Sequence, residues 1–263
     1  MKFFFFTANQ LLAKKALECG VDYVIIDWER RGKEKRQLNK GFEINEDSEE
    51  DAKRIANEVG VPICIRINAL SEETEEEVRR ALDCGAEVVM LPMSQSVEQV
   101  QRFLDILGGR AKSLIQIETK HLVEEVVSLK DLDWDFTHVG LNDLMLSRNK
   151  SNIWESVYDG TVSEICKKLQ GRAYGFGGLT TVDGGFPIPA KWIIKKMVAD
   201  GCSVGILRRS FKSDITGRDM CDEIAKLRDF IESNKNRGSD DERNDAMHLE
   251  KLIGEQLQLR AKP

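Results

Sequence analysis

Leu82-Asp83-Cys84-Gly85, then Val88-Val89-Met90-Leu91-Pro92, sets a helix end, a glycine and a short apolar run in direct succession. Upstream, Glu72 to Leu82 has the spacing of an amphipathic helix. Glycine ends a helix at low cost because it adopts the left-handed conformation at the C′ position. The apolar run scarcely alternates, as expected of a parallel strand buried on both faces.

The same unit recurs along the chain. Leu17-Glu18-Cys19-Gly20 leads into Tyr23–Asp27, Val59-Gly60 into Pro62–Arg66, Gly108-Gly109 into Leu114–Glu118, and Asp200-Gly201 into Val204–Leu207. Val97 to Leu107 is a second clear amphipathic stretch. Further strands fit at Phe3–Phe6, Phe136–Gly140 and Ala173–Phe176, giving eight. Strands alternating with helices pair in parallel through right-handed crossovers, and eight units close into a (β/α)₈ TIM barrel. The 263 residues suit that fold, which typically takes about 250. An open doubly wound sheet is the competing architecture. No G-x-G-x-x-G follows the first strand, which counts against its dinucleotide-binding form. Residues 1–232 are expected to form the barrel. Residues 233–263 are expected to form a polar C-terminal extension, helical near Met247 to Leu259, that contacts a neighbouring subunit.

Composition narrows the partners. A net charge of −6 and a pI near 5.4 make nucleic acid and anionic membrane surfaces poor electrostatic matches. The basic residues Arg30, Arg31, Lys33, Lys35 and Arg36 are interrupted by Glu34 and read as a solvated loop. Met1-Lys2-Phe3-Phe4-Phe5-Phe6-Thr7 is too short an apolar run for a secretory segment, and nothing approaches a membrane span. The six cysteines include no C-x-x-C pair, so they read as reduced thiols of a cytoplasmic protein.

In a (β/α)₈ barrel the active site lies at the C-terminal strand ends. Candidate residues there are Asp27 and Glu29, Arg66 and Asn68, Gln116 and Glu118, Asn142 and Asp143, the glycines Gly177 and Gly178, and Arg208 and Arg209. Residues two apart on a strand share a face, so each of the first three pairs can point inward. Charges ending apolar runs need a partner or a ligand. The residues can satisfy one another, or Glu118 and Asp143 can hold a metal with Arg66 facing a substrate.

At these residues the sequence resembles the HpcH/HpaI aldolase and citrate lyase beta-subunit family over roughly residues 1–215. The stretches that carry the likeness are Gly20–Glu29, Arg66-Ile67-Asn68, Gly85–Pro92, Ile117-Glu118-Thr119 and Gly140–Leu144. The resemblance implies a metal-dependent lyase, a class II-type aldolase, acting through the enolate of pyruvate or an acyl thioester. It makes Glu118 and Asp143 the carboxylates that bind Mg²⁺ or Mn²⁺, and Arg66 the group that contacts the reacting carbonyl oxygen. The backbone from Gly140 through Asn142 to Asp143 would receive the substrate carboxylate. Two carboxylates leave room for water and a chelating keto acid, whose carbonyl the metal polarises. The substrate implied is a small keto acid or aldehyde, and relatives form closed homo-oligomers. Two positions depart from the family pattern. Arg30 stands where the pyruvate aldolases carry a histidine tied to proton transfer, and Met93 where many relatives carry lysine. Glu29, or a water acidified by the ion, then remains for the proton.

His121 is expected to begin a helix and face solvent, His138 to be buried and hydrogen-bonded, and His248 to lie in the charged tail. Gly175-Phe176-Gly177-Gly178 with Arg208 and Arg209 suggests a backbone cradle for an anion, or simply a tight turn. Pro189 is expected to open a helix. Two further readings remain, a phosphosugar isomerase or epimerase and a non-catalytic barrel acting as a binding subunit.

Overall fold

The structure, a computed structural model, describes residues 1–32 and 47–260. Nine parallel strands form one sheet: β1 (Lys2–Phe6), β2 (Tyr23–Asp27), β3 (Ile63–Arg66), β4 (Ala86–Leu91), β5 (Lys112–Ile117), β6 (Phe136–Val139), β7 (Tyr174–Phe176), β8 (Gly178–Leu179) and β9 (Val204–Leu207). Their order is β7-β6-β5-β4-β3-β2-β1-β9-β8. The fold is the expected (β/α)₈ barrel. The ninth strand arises because the seventh is split at Gly177, whose φ is +64°. Its first half pairs with β6 and its second with β9, so one kinked strand closes the ring.

The helices used below are α1 (Gln10–Glu18), α2 (Glu49–Lys53), α3 (Thr74–Asp83), α4 (Val97–Leu107), α5 (Lys120–Glu124), α6 (Val126–Leu129), α7 (Leu141–Ser147), α8 (Glu155–Tyr158), α9 (Thr161–Lys168), α10 (Ala190–Ala199), α11 (Phe211–Asp214), α12 (Met220–Ser233) and α13 (Ser239–Arg260). The expected glycine stops are present: Gly20, Gly60, Gly85, Gly108 and Gly201 all have positive φ. Pro189 directly precedes α10.

The opening phenylalanines show how the core divides. Side chains alternate along a strand. Phe3 and Phe5 therefore join the layer between sheet and helices, and Phe4 and Phe6 fill the barrel interior. Phe4 stacks on Tyr23 with ring centroids 4.8 Å apart and meets Phe136 edge-on at 5.6 Å. The interior below the site is thus solid, which fixes the strand ends above it.

α13 packs on α10 and α8. Lys195 pairs with Asp245 at 3.2 Å, and Trp192 lies 4.2 Å from the His248 ring, centroid to centroid. Among the described residues no helix is long and apolar enough to cross a membrane. Of the basic stretch read as a solvated loop, Lys33, Lys35 and Arg36 lie outside the described residues, and Arg31 pairs with Glu73 and Glu77.

The expectation of reduced thiols needs correction. Cys19 and Cys221 form a disulfide with a Cα–Cα distance of 4.4 Å. Cys19 follows the last turn of α1 and Cys221 lies in the first turn of α12. The two helices are adjacent in the ring, and a separation of 202 residues hides that proximity from any local spacing rule. Cys64, Cys84, Cys166 and Cys202 are free thiols.

Candidate active site

The strand ends enclose a cavity of about 620 Å³, the size of a small-molecule site. Arg66, at the end of β3, sits opposite Asp27 of β2 in the ladder. Arg66 Nε donates to Asp27 Oδ1 at 2.9 Å and Nη2 to Oδ2 at 2.7 Å. This planar fork-to-fork pairing fixes the guanidinium's orientation. Arg66 Nη1 reaches Glu29 Oε2 and Gln116 Oε1, each at 3.3 Å. Arg209 Nη2 donates to the same Asp27 Oδ2 at 2.8 Å. The Phe6 ring lies 5.0 Å from the Arg66 guanidinium and 5.1 Å from that of Arg209.

Asp27 is completely buried, a position tolerable for a carboxylate only because two guanidiniums neutralise it. Burial opposes the charge on Arg66, but Asp27 and Glu29 outweigh it and hold its pKa above the ordinary value.

Glu118 directly follows β5. Its Oε1 accepts from the Met93 backbone N–H at 2.9 Å and its Oε2 from Gln116 Nε2 at 3.2 Å. Met93 has a φ of +58°, uncommon for a residue with a side chain, and in this conformation its N–H reaches the carboxylate. Gly140 lies on the other side, where an added Cβ would come within 2.4 Å of Glu118 Oε2. Burial raises the Glu118 pKa well above the usual carboxylate range. The charges of Asp143 and Glu29 raise it further, and Arg66 and the Met93 N–H compensate only in part.

Asp143, in the first turn of α7, is buried and lines the same cavity. Among the described residues Glu118 meets no cation at ion-pair distance, and no cluster of three or more His, Cys, Asp or Glu side chains gathers. A buried carboxylate crowded by others, with two oxygens held in place, suits a hard divalent cation that keeps part of its water shell. The residues present therefore fit such an ion.

Of the residues singled out from sequence, Arg66, Glu118, Gly140, Asn142, Asp143, Gly177 and Gly178 all line this cavity. Glu29 is buried behind Arg66, outside the lining. Asn68 does not pair inward with Arg66. Its Oδ1 accepts from the Arg30 and Arg31 backbone N–H groups, both at 2.9 Å, and its Nδ2 donates to Glu77 Oε1 at 2.8 Å. The strand has ended by Asn68, so the two-residue periodicity no longer applies, and the side chain secures the β2 loop to α3.

His121 is exposed in α5, with Nδ1 3.2 Å from Gln95 Oε1. His138 is buried beside Gln116, but neither ring nitrogen has a hydrogen-bond partner among the described residues, contrary to expectation. Burial lowers its pKa to about 4; the nearby Gly177 backbone favours the protonated ring only weakly. Sequence reasoning also missed Trp154 and Lys212, which line the cavity from loop and short-helix positions that no periodicity marks.

A barrel whose strand ends gather an anchored arginine, buried carboxylates and one substrate-sized cavity is built as an enzyme. The chain belongs to the HpcH/HpaI aldolase/citrate lyase family, whose model matches residues 1–147. That match includes Glu29, Arg66, Glu118 and Asp143. Among solved structures the chain is similar to an HpcH/HpaI aldolase/citrate lyase family protein from Burkholderia cenocepacia J2315, with 14% identity and a TM-score of 0.62, covering 82% of this chain and 91% of that one. It is also similar to the citrate synthase SbnG, with 16% identity and a TM-score of 0.60, covering 82% and 90%. RipC from Yersinia pestis matches at 15% identity and a TM-score of 0.56, covering 92% and 97%. These structural likenesses bear on the fold. No curated protein matches the chain in sequence.

Proposed function

We propose that the protein is a divalent-metal-dependent lyase that breaks or forms the carbon–carbon bond next to the carbonyl of a keto acid of the pyruvate type. The observation that carries this reading is the fixed Arg66 guanidinium, held by Asp27, Glu29 and Gln116 beside the buried carboxylate of Glu118. Glu118 and Asp143 would hold Mg²⁺ or Mn²⁺, and a bound ion supplies Lewis-acid polarisation of the keto carbonyl.

Arg66 donates to the carbonyl oxygen, where negative charge grows as the bond breaks. Because Asp27 already orients it, little reorganisation accompanies the reaction. The backbone from Gly140 through Asn142 to Asp143 receives the substrate carboxylate, and the missing side chain at Gly140 leaves that approach open. In cleavage the alcohol proton passes to Glu29, the alcohol oxygen becomes the aldehyde carbonyl, and the electron pair of the broken carbon–carbon bond becomes the enolate. The aldehyde departs and the enolate carbon is protonated. Glu29 is assigned this proton and, from behind Arg66, exchanges it through an intervening water.

The test is deuterium exchange into the pyruvate methyl group, followed by NMR, with Mg²⁺ or Mn²⁺ added and then chelated. Exchange that requires both the ion and Glu118, lost in Glu118→Ala, is the expected result. Exchange unaffected by chelation or by Glu118→Ala would overturn the assignment. Glu29→Gln should abolish exchange while pyruvate still binds.

A further inference from the structure

The cavity has a second end that the family match does not reach. Residues 1–147 supply Glu118, Asp143 and Arg66; Trp154, Gly177, Gly178, Arg208 and Lys212, all beyond that match, also line the cavity. Three observations there point to a ligand. The indole N–H of Trp154 and the Nε–H of Arg208 are both buried with no hydrogen-bond partner among the described residues. Such donors are costly unless something accepts from them. Arg208 is held by Asp214, whose Oδ2 accepts from Nη2 at 2.8 Å, and its partly exposed side chain lines the cavity. Lys212 also lines the cavity and, among the described residues, meets no carboxylate at ion-pair distance.

The glycines make room for this arrangement. A Cβ at Gly178 would lie 2.7 Å from Arg208 Cβ, and one at Gly177 would lie 3.2 Å from Leu141 Cδ1. Leu141, the glycine pair and Arg208 therefore form one continuous wall, closed to any larger residue at position 178. The lining also includes the apolar Phe6 and Ile206.

We infer that the substrate carries a phosphoryl group at the end remote from its keto acid, bound by Arg208, Lys212 and Trp154 against Gly177–Gly178. Several separate donors suit a dianion with three terminal oxygens better than a single carboxylate, which one arginine fork can satisfy. This inference rests on the keto-acid reading for the other end, but its test does not.

Inorganic phosphate is titrated into the full-length protein by calorimetry, without divalent metal, and compared with acetate at equal ionic strength. Phosphate should bind at millimolar concentration or below. Lys212→Gln, a partly exposed position that leaves the core untouched, should weaken it at least about tenfold, and Gly178→Ala should do so by crowding Arg208. Glu118→Gln should leave phosphate binding intact even if the pyruvate experiment fails. The inference is overturned if phosphate does not bind, if it binds equally to the Lys212→Gln protein, or if acetate binds as tightly with the same sensitivity.

Discussion

His138→Phe tests the barrel interior through pH. The histidine is buried, lacks hydrogen bonds among the described residues, and has its pKa lowered from 6.5 to about 4. An unfolded chain takes up a proton near pH 6.5, whereas the folded one resists until about pH 4. Stability from this group is fully present above pH 6.5 and is lost as pH falls toward 4. The full difference amounts to about 3 kcal/mol, because each tenfold change in proton affinity is worth about 1.36 kcal/mol. Between pH 7 and pH 5 the loss is about 2 kcal/mol. Urea unfolding at the two pH values, for wild type and variant, isolates it, because the contributions of other groups cancel in the double difference. The variant should be about 2 kcal/mol less pH-sensitive and no less stable at pH 7, where an apolar ring replaces unsatisfied nitrogens. Equal pH sensitivity in both proteins would refute the buried, neutral state of His138.

Asp27→Asn leaves Arg66 and Arg209 without their shared counter-charge. It should lower stability by about 3–5 kcal/mol, seen in the urea midpoint, and abolish pyruvate exchange. Gly140→Ala places a methyl group against Glu118 Oε2; calorimetry should show loss of Mn²⁺ binding with the circular dichroism unchanged. Removing the Cys19–Cys221 bridge by Cys221→Ser should cost about 2–5 kcal/mol, and adding reductant should bring wild type to the same melting temperature.

The barrel is legible in the sequence because each helix stop is a glycine followed by a buried run, a local signal repeated around the chain. The positions of Arg66, Glu118 and Asp143 follow from the strand ends. Their relations do not. Asp27 binds Arg209 across 182 residues of sequence, and no periodicity reports that pairing. Asn68 turns away from the site because strand alternation stops where the strand does. Met93 shows its part only through a backbone angle, and Cys19 meets Cys221 only because the ring brings the first and last barrel helices together.

The split seventh strand gives the two ends of the cavity different mechanical footings. Arg66 and Gln116 project from strands paired on both sides, although the β3–β4 register shifts at Ile63/Cys64. Gly177 and Gly178 sit at the seam, where half-strands of three and two residues are each laddered to one neighbour. Amide hydrogens there should exchange soonest in the sheet, since few ladder bonds must open. On the proposed reading, the cavity combines a stiff part, where bond-making geometry must not drift, with a more compliant one at the seam. If the substrate reaches the seam as proposed, changes of specificity can accumulate there without disturbing Arg66 and the carboxylates.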